Sequence, residues 1–252
     1  MKNGLFNETG YKKQILIVGI LLIAIVLFII FIFILNLDKG YLIIDESCIL
    51  RKSGNKYRQV NSINDDIFDG KYDVVSDLKI YNDVTLQYNS NKWYYFDDNY
   101  NDLSLSKVSA AYTKEFEGLK VADYSSAYYD SSDDEYLKKV LDNNNYSDYF
   151  VIKSSYDLDD DGILETIYTV TNEGLESGGS YSSIFLVKGN VFIGRLDNDT
   201  SKPYLVKKII DLDGDDKYEV IVSKGTVDVA TFDTCYQIYS ISGKKIKMIK
   251  GC

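Results

Sequence analysis

A nine-residue acidic segment occurs twice, and it constrains the fold more than any other feature of the chain. The two copies are Asp157-Leu-Asp-Asp-Asp-Gly-Ile-Leu-Glu165 and Asp211-Leu-Asp-Gly-Asp-Asp-Lys-Tyr-Glu219. In each copy, carboxylates stand at positions one, three, five and nine. Carboxylates held this close repel one another unless a cation offsets their charge. A hard divalent cation that takes roughly six to eight oxygen ligands does this best, so the pattern predicts calcium.

Each acidic segment is predicted to lie between two strands, which excludes an EF-hand. An EF-hand needs a helix on each side and a bidentate Glu at position twelve, where this chain has Tyr168 and Val222. The flanking runs are instead rich in β-branched and aromatic residues, which favour strands. The predicted flanking strands are 150–156 and 164–171 in the first copy, and 204–210 and 218–223 in the second.

The strand–loop–strand unit belongs to a longer internal repeat. Asp157 and Asp211 are 54 residues apart, and so are the turn glycines Gly189 and Gly243. Two more strands flank each turn glycine, predicted at 181–188 and 191–196, and at 233–241 and 245–250. A four-stranded unit of about fifty residues is typical of a β-propeller blade, but two blades cannot close a ring. Either strands within 41–100 complete a ring, or the two units pack as a sandwich.

The pattern D-x-D-x-D-G-x-x-E between strands resembles the calcium-hairpin loop of FG-GAP repeats, the integrin-α-type and VCBS-like β-propeller blades. The resemblance covers only residues from about 148 to 252. It implies that calcium is held by the side chains at positions one, three, five and nine and by the carbonyl at position seven. The implied ligands are Asp157, Asp159, Asp161, Glu165 and the Ile163 carbonyl, and Asp211, Asp213, Asp215, Glu219 and the Lys217 carbonyl.

The second copy departs from that pattern in the position of its glycine. Gly214 stands at position four, and Asp216 occupies position six, where the first copy has Gly162. Position six often needs a positive φ, which Asp adopts less readily than Gly but more readily than most residues. Metal-free turns are the open alternative for both copies, because Asp and Gly also dominate ordinary turns.

A membrane anchor is predicted at the N-terminus. Residues 15–35 are an uninterrupted apolar run of 21 residues, long enough for a transmembrane helix. No Ala-x-Ala follows it, which favours an uncleaved anchor over a cleaved signal peptide. Lys12 and Lys13 precede the run, so the positive-inside rule places the N-terminus in the cytoplasm and the C-terminal domain outside. We therefore predict a single-pass protein of the cell membrane.

The predicted fold class is mainly β: a transmembrane helix, then an antiparallel β-rich domain with two blade-like repeats and one short helix. The expected divisions are a cytoplasmic tail (1–14), the transmembrane helix (15–36), a β-rich part (37–130), a helix and linker (131–147), and two calcium-loop repeats (148–201 and 202–252). Hairpins are predicted at 48–52 with 56–60 and at 83–88 with 92–96. The helix is predicted at 131–141, where a capping box begins it.

Charge and composition narrow the function. The chain carries −10 and residues 1–36 contribute +2, which leaves −12 for residues 37–252 and disfavours nucleic acid as a partner. There is no histidine, the commonest general base and zinc ligand. We predict an extracytoplasmic module for binding or adhesion with structural calcium and an unidentified protein or glycan ligand, rather than an enzyme. A membrane-tethered hydrolase of envelope polymers and a structural subunit of a membrane complex are the alternatives.

The last prediction is a disulfide between Cys235 and Cys252. If Gly243 and Lys244 are the central residues of the final hairpin turn, these two cysteines face each other across the hairpin. They form a non-hydrogen-bonded pair, whose Cα atoms approach to about 4.5 Å, at the short end of the range for disulfides. Cys48 is then left over. Three separate buried thiols are the alternative.

Overall fold

The computed structural model describes residues 18, 20, 22–28, 40–44, 48–54, 56–60, 63, 67, 70–90, 92–105, 107–124, 126–129, 149–172, 182–196, 204–225 and 235–250. Residues Met1–Lys39 and Gly40–Cys252 form two compact units. In the first unit, positions 18, 20 and 22–28 are helical and exposed. No helix among the described residues combines the length and the hydropathy needed to cross a bilayer. The other positions of the predicted span 15–36 lie outside the described residues, as does the predicted helix 131–141.

Seven strands of the second unit form one antiparallel sheet, here called the N-terminal sheet. They are β1 (Gly40–Ile44), β2 (Cys48–Ser53), β3 (Lys56–Gln59), β4 (Tyr72–Ser76), β5 (Lys79–Asn89), β6 (Lys92–Phe96) and β7 (Val108–Tyr112). Their order in the sheet is β3-β2-β1-β7-β4-β5-β6. The pairings of β2 with β3 and of β5 with β6 confirm the two predicted hairpins. A short 3-10 helix, Lys114–Phe116, follows β7.

The ten remaining strands form two sheets of equal topology. They are β8 (Lys120–Val121), β9 (Ser126–Tyr129), β10 (Tyr149–Tyr156), β11 (Glu165–Asn172), β12 (Ser182–Lys188), β13 (Val191–Arg195), β14 (Tyr204–Asp211), β15 (Glu219–Lys224), β16 (Cys235–Ser242) and β17 (Lys245–Lys250). The first-loop sheet has the order β13-β12-β11-β10-β9 and the second-loop sheet β17-β16-β15-β14-β8. All eight strands predicted for the repeats are confirmed to within two residues.

The edge strands β8 and β9 are structural features that the sequence did not reveal. Each adds a fifth strand to a four-stranded meander: β8 pairs with β14, and β9 pairs with β10. The two strands are separated by only a few residues, yet they join different sheets. The segment between the N-terminal sheet and the meanders therefore ties the two loop sheets together.

The second-loop sheet is packed on both faces, as its central strand shows. In β15, Val220 and Val222 pack with Ile167 and Leu186 of the first-loop sheet. Ile221, between them, packs in a different cluster. Alternate side chains of a strand point to opposite faces, so a strand covered on both sides needs a continuous apolar run.

The cluster around Ile221 joins the second-loop sheet to the N-terminal sheet, which contributes Leu42 and Leu50. A third cluster covers the far face of the N-terminal sheet, where Trp93 and Tyr95 pack with Ile43. The three sheets therefore form a stack with the second-loop sheet in the middle. The two loop sheets pack face to face, and β1–β7 build one continuous sheet rather than further four-stranded units.

Truncation of a core leucine tests the contact between the two loop sheets. Leu186→Ala should lower the free energy of unfolding by about 2–5 kcal/mol, because Leu186 is fully buried in that contact. Leu164→Ala removes the same atoms from a side chain that is 56% exposed and should cost under about 0.5 kcal/mol. Urea denaturation followed by Trp93 fluorescence gives both values. Equal losses in the two variants would contradict the packing.

Candidate metal centre

The two acidic segments form loops of the same construction. The first loop, residues 157–165, joins β10 to β11, and the second loop, residues 211–219, joins β14 to β15. In each, the position-nine glutamate accepts a hydrogen bond from the backbone N–H at position two. Leu158 N lies 2.7 Å from Glu165 Oε2, and Leu212 N lies 3.1 Å from Glu219 Oε2. This bond turns the buried glutamate back toward the start of its loop.

The aspartate at position one organises the backbone of each loop. Asp157 accepts hydrogen bonds from the N–H groups at positions five and six, at 3.2 and 2.8 Å. Asp211 accepts the same two bonds at 3.2 and 3.0 Å, and two more from positions three and four. The position-five aspartate also accepts the N–H at position seven, at 3.0 Å in both loops. The two loops are therefore equivalent in backbone conformation.

The displaced glycine of the second loop is explained by the backbone dihedral angles. Both loops have positive φ at positions four and six: 55° at Asp160 and 82° at Gly162, then 76° at Gly214 and 64° at Asp216. Each loop fills one of these positions with Gly and the other with Asp, which tolerates left-handed geometry better than most residues. The departure in sequence therefore leaves the loop conformation intact.

The loop conformation brings carboxylates together in both copies. One oxygen from each of Asp157, Asp159 and Glu165 lies within 4.8 Å of the others, and the same holds for Asp211, Asp213 and Asp215. Both clusters could hold a metal ion. The remaining predicted side-chain ligands are adjacent: Asp161 contacts the same lysine, Lys188, as Asp159 and Glu165, and Glu219 lines the same cavity as Asp213 and Asp215. Among the described contacts none involves the Ile163 or the Lys217 carbonyl, so these two ligands stay predictions.

The first loop contains a cation supplied by the chain itself, which the sequence reading missed. Lys188 Nζ lies 2.6 Å from Asp159 Oδ1, 2.8 Å from Asp161 Oδ2 and 2.5 Å from Glu165 Oε1. Lys188 pairs directly with Glu165 across β11 and β12. Its side chain is only 11% exposed. The signal that could have found it is the hairpin register, which places a lysine opposite the position-nine glutamate.

Lys188 affects the pKa values of the ionisable groups in the first loop. Burial by itself would lower the pKa of Lys188, but its contacts with the carboxylates of Asp159, Asp161 and Glu165 outweigh burial and raise that pKa. Burial also opposes ionisation of Asp159. The hydrogen bonds from Lys188 and from the Gly243 N–H nevertheless hold the pKa of Asp159 below its ordinary value. Lys188 and Asp159 therefore stabilise each other's charged form, whereas burial raises the pKa of Glu165.

The second loop opens onto a cavity of about 390 Å³. The wall includes Asp213, Asp215 and Glu219, together with Tyr57, Ser240 and Lys247. Burial, followed by the negative charges of Asp213, Asp211 and Asp215, raises the pKa of Glu219 to about 7. Burial, Glu219 and Asp213 likewise raise the pKa of Tyr57 to about 12. Negative charge therefore accumulates beside a space that has room for a cation.

The second loop is held between two other segments. A Cβ added at Gly214 would lie 3.2 Å from the Gly118 carbonyl oxygen and 3.3 Å from the Gly118 Cα. On the other side, the Tyr218 N–H donates to the Leu158 carbonyl of the first loop at 2.8 Å. Lys120 of β8 forms an ion pair with Asp216. The second loop thus contacts both the turn before β8 and the first loop.

The cysteine prediction lies outside the described part of the chain, since Cys252 and the Cys235 side chain are not described. The final hairpin does turn at Gly243 and Lys244, because Ser242 pairs with Lys245. The register then shifts by one residue between Ile238 and Tyr239. The simple count that set the two cysteines opposite each other therefore does not continue past this bulge. The disulfide stays a prediction, and Cys48 is buried.

Two glycine substitutions separate backbone strain from steric contact in the loops. Gly162→Ala should cost about 1–2 kcal/mol of stability, because its φ is +82° but its side-chain position is open. Gly214→Ala has a similar φ of +76° and in addition forces a methyl group against Gly118. We expect a loss larger by about 1–3 kcal/mol. Chemical denaturation without metal measures both, and equal losses would contradict the close contact.

The raised pKa of Glu219 predicts a pH dependence of stability in chelator-treated protein. The folded state holds a proton between pH 4.5, the ordinary pKa, and about 7, whereas the unfolded chain releases it. This contribution to stability is therefore complete below pH 4.5 and is lost as the pH rises through 7. Glu219→Gln should remove that part of the slope, whereas Glu117→Gln, at an exposed glutamate, should not. Unfolding free energies at pH 5 and pH 7.5 test this, and identical slopes in all three proteins would refute it.

Comparison with known proteins does not assign this chain to a family. No protein-family model matches it, and neither a curated protein nor a solved structure does. The resemblance to FG-GAP and VCBS-like repeats therefore stays an expectation carried by the two loops and their flanking strands.

Proposed function

We propose that residues 40–252 form a calcium-binding β-rich module, anchored in the membrane by the N-terminal apolar run and used outside the cytoplasm for binding or adhesion. The observation that carries this proposal is the second loop. Asp211, Asp213 and Asp215 present oxygens within 4.8 Å of one another. Glu219, with Asp213 and Asp215, lines the adjoining cavity of about 390 Å³.

The donor chemistry of the second loop supports calcium. Its candidate ligands are four carboxylates and the Lys217 carbonyl, all of them oxygen donors, and the chain has no histidine. Calcium accepts six to eight oxygen ligands, at about 2.3–2.6 Å and in flexible geometry, and extracellular modules bind it at the concentrations found outside cells. The predicted extracytoplasmic position of the domain agrees with calcium as the bound ion.

A structural role for the ion follows from the position of the second loop. The loop begins where β14 ends, in the middle sheet of the stack, and it contacts Gly118, Leu158 and Lys120 from neighbouring segments. Offsetting the repulsion among its carboxylates would fix the loop on which these segments rest. The ion would then stabilise the packing of the whole module.

The hydrolase alternative requires a cleft with a carboxylate pair outside the two loops. The acidic residues that line the cavity of about 390 Å³ are Asp213, Asp215 and Glu219, and all belong to the second loop. The cavity is therefore better suited to a bound cation than to acid–base chemistry by an independent pair. Binding or adhesion with structural calcium remains the proposal, with a protein or a glycan as ligand.

Calcium should raise the melting temperature of the protein, because it binds the folded state alone. At a free concentration one hundred times the dissociation constant, stability should rise by about 2.7 kcal/mol. Asp213→Asn and Asp215→Asn should lose most of this gain. Asp216→Asn, which alters the same loop at an exposed ion pair rather than at a ligand position, should keep it. Thermal unfolding with calcium and with chelator is the measurement, and a wild-type melting temperature indifferent to both would refute the proposal.

A further inference from the structure

We propose that Lys188 is the resident cation of the first loop and that it excludes metal there, so that each chain binds one calcium ion, in the second loop. This inference rests on the proposed function, which it refines by distinguishing two loops of the same backbone conformation. It makes the two copies of the repeat different in kind: one is neutralised by the chain itself and the other by an ion from solution.

The contacts of Lys188 match what a cation in the first loop would make. An ammonium group has three N–H donors, and Lys188 Nζ approaches one oxygen each of Asp159, Asp161 and Glu165 at 2.5–2.8 Å. Two of these partners are members of the cluster whose oxygens lie within 4.8 Å of one another. The ammonium thus occupies the position toward which the loop directs its carboxylates.

Burial makes this arrangement hard to displace. The side chains of Lys188 and Asp159 are 11% and 7% exposed, and that of Glu165 is fully buried. A divalent cation entering the loop would have to expel Lys188, because it would bind the same carboxylates. Two positive charges held that close together repel strongly in a site shielded from water. The expelled ammonium would lose its hydrogen bond to Asp159 and its ion pairs with Asp161 and Glu165 at once.

The second loop has a serine where the first has Lys188. The ladder between β15 and β16 pairs Val220 with Tyr239, and one more step in that register sets Ser240 opposite Glu219. Ser240 lines the cavity beside Glu219, so a neutral hydroxyl stands in place of an ammonium. Lys217 lies nearby, but it is half exposed and its Nζ is 3.8 Å from Asp215 Oδ2.

Lys52 also lines the cavity, and its contacts direct it elsewhere. Lys52 Nζ donates to the Glu115 carbonyl at 2.9 Å and lies 5.1 Å from the centre of the Phe116 ring. Lys247, the third lysine of the cavity wall, is exposed and forms no ion pair with a second-loop carboxylate among the described residues. The carboxylates of the second loop are therefore left with room for an ion from solution. The difference between the two loops comes from one cross-strand position, occupied by Lys188 in one hairpin and Ser240 in the other.

Exchanging these two residues tests the inference. The full chain is purified, and bound calcium is counted by equilibrium dialysis against calcium alone, with circular dichroism to confirm folding. We expect one ion in the wild type, two in Lys188→Ser and none in Ser240→Lys. Lys79→Ser, at an exposed lysine of β5, is the matched control and should keep one ion. In the wild type, Asp213→Asn should remove the ion and Asp159→Asn should not.

The outcomes separate the two proposals. A wild type that binds no calcium overturns the proposed function. A wild type that binds two ions, or a folded Lys188→Ser that still binds one, overturns the role of Lys188 and leaves calcium binding standing. If Lys188→Ser folds only when calcium is added, the inference is supported, because the ion then replaces the lost ammonium. If it does not fold at all, Ser240→Lys decides: no bound ion supports the inference, and one bound ion contradicts it.

Discussion

The repulsion between buried carboxylates is the constraint on which the rest of the structure depends. Glu165 and Asp211 are fully buried, and Glu219 is nearly so. A buried charge is costly unless hydrogen bonds and an opposite charge compensate it. Backbone N–H groups within the two loops supply the hydrogen bonds, and this requires the left-handed positions four and six. The opposite charge has to come from elsewhere: Lys188 supplies it in the first loop, and we propose an ion from solution for the second.

Because of where the loops lie, the charge within each loop bears on the packing of the whole domain. The second loop emerges from the central sheet, whose strand β15 is buried on both faces. The loop touches Gly118 on the segment that leaves the N-terminal sheet and Leu158 in the first loop. Asp159 of the first loop is in turn held by the Gly243 N–H of the last hairpin, at 2.7 Å. Each loop therefore contacts segments of more than one sheet.

The two loops show that one loop conformation can be combined with different neighbouring side chains. They share the hydrogen bonds from positions five and six to position one, from seven to five and from two to nine, and both have positive φ at positions four and six, although glycine and aspartate have exchanged places. What differs is the strand next to each loop. In the first-loop sheet a lysine from β12 reaches three carboxylates, whereas in the second-loop sheet β16 presents Ser240 beside an open cavity. A single residue in a neighbouring strand thus sets the charge of a site that the loop sequence alone makes look duplicated.

Local features of this protein were determined by the sequence. The β-branched runs predicted the eight strands of the two meanders, and the spacing of aspartates and glycines predicted both loops, because strand propensity and turn conformation depend on neighbouring residues. The seven-stranded sheet, the edge strands β8 and β9, the bulge near Ile238 and the contact of Lys188 with the first loop were decided only by the tertiary structure. Each depends on which strands pair and in which register, and that choice is made by burial of apolar faces between segments distant in the chain. Lys188 lies 23 residues beyond Glu165 in the chain, and only the register of β11 and β12 brings its ammonium group to that carboxylate.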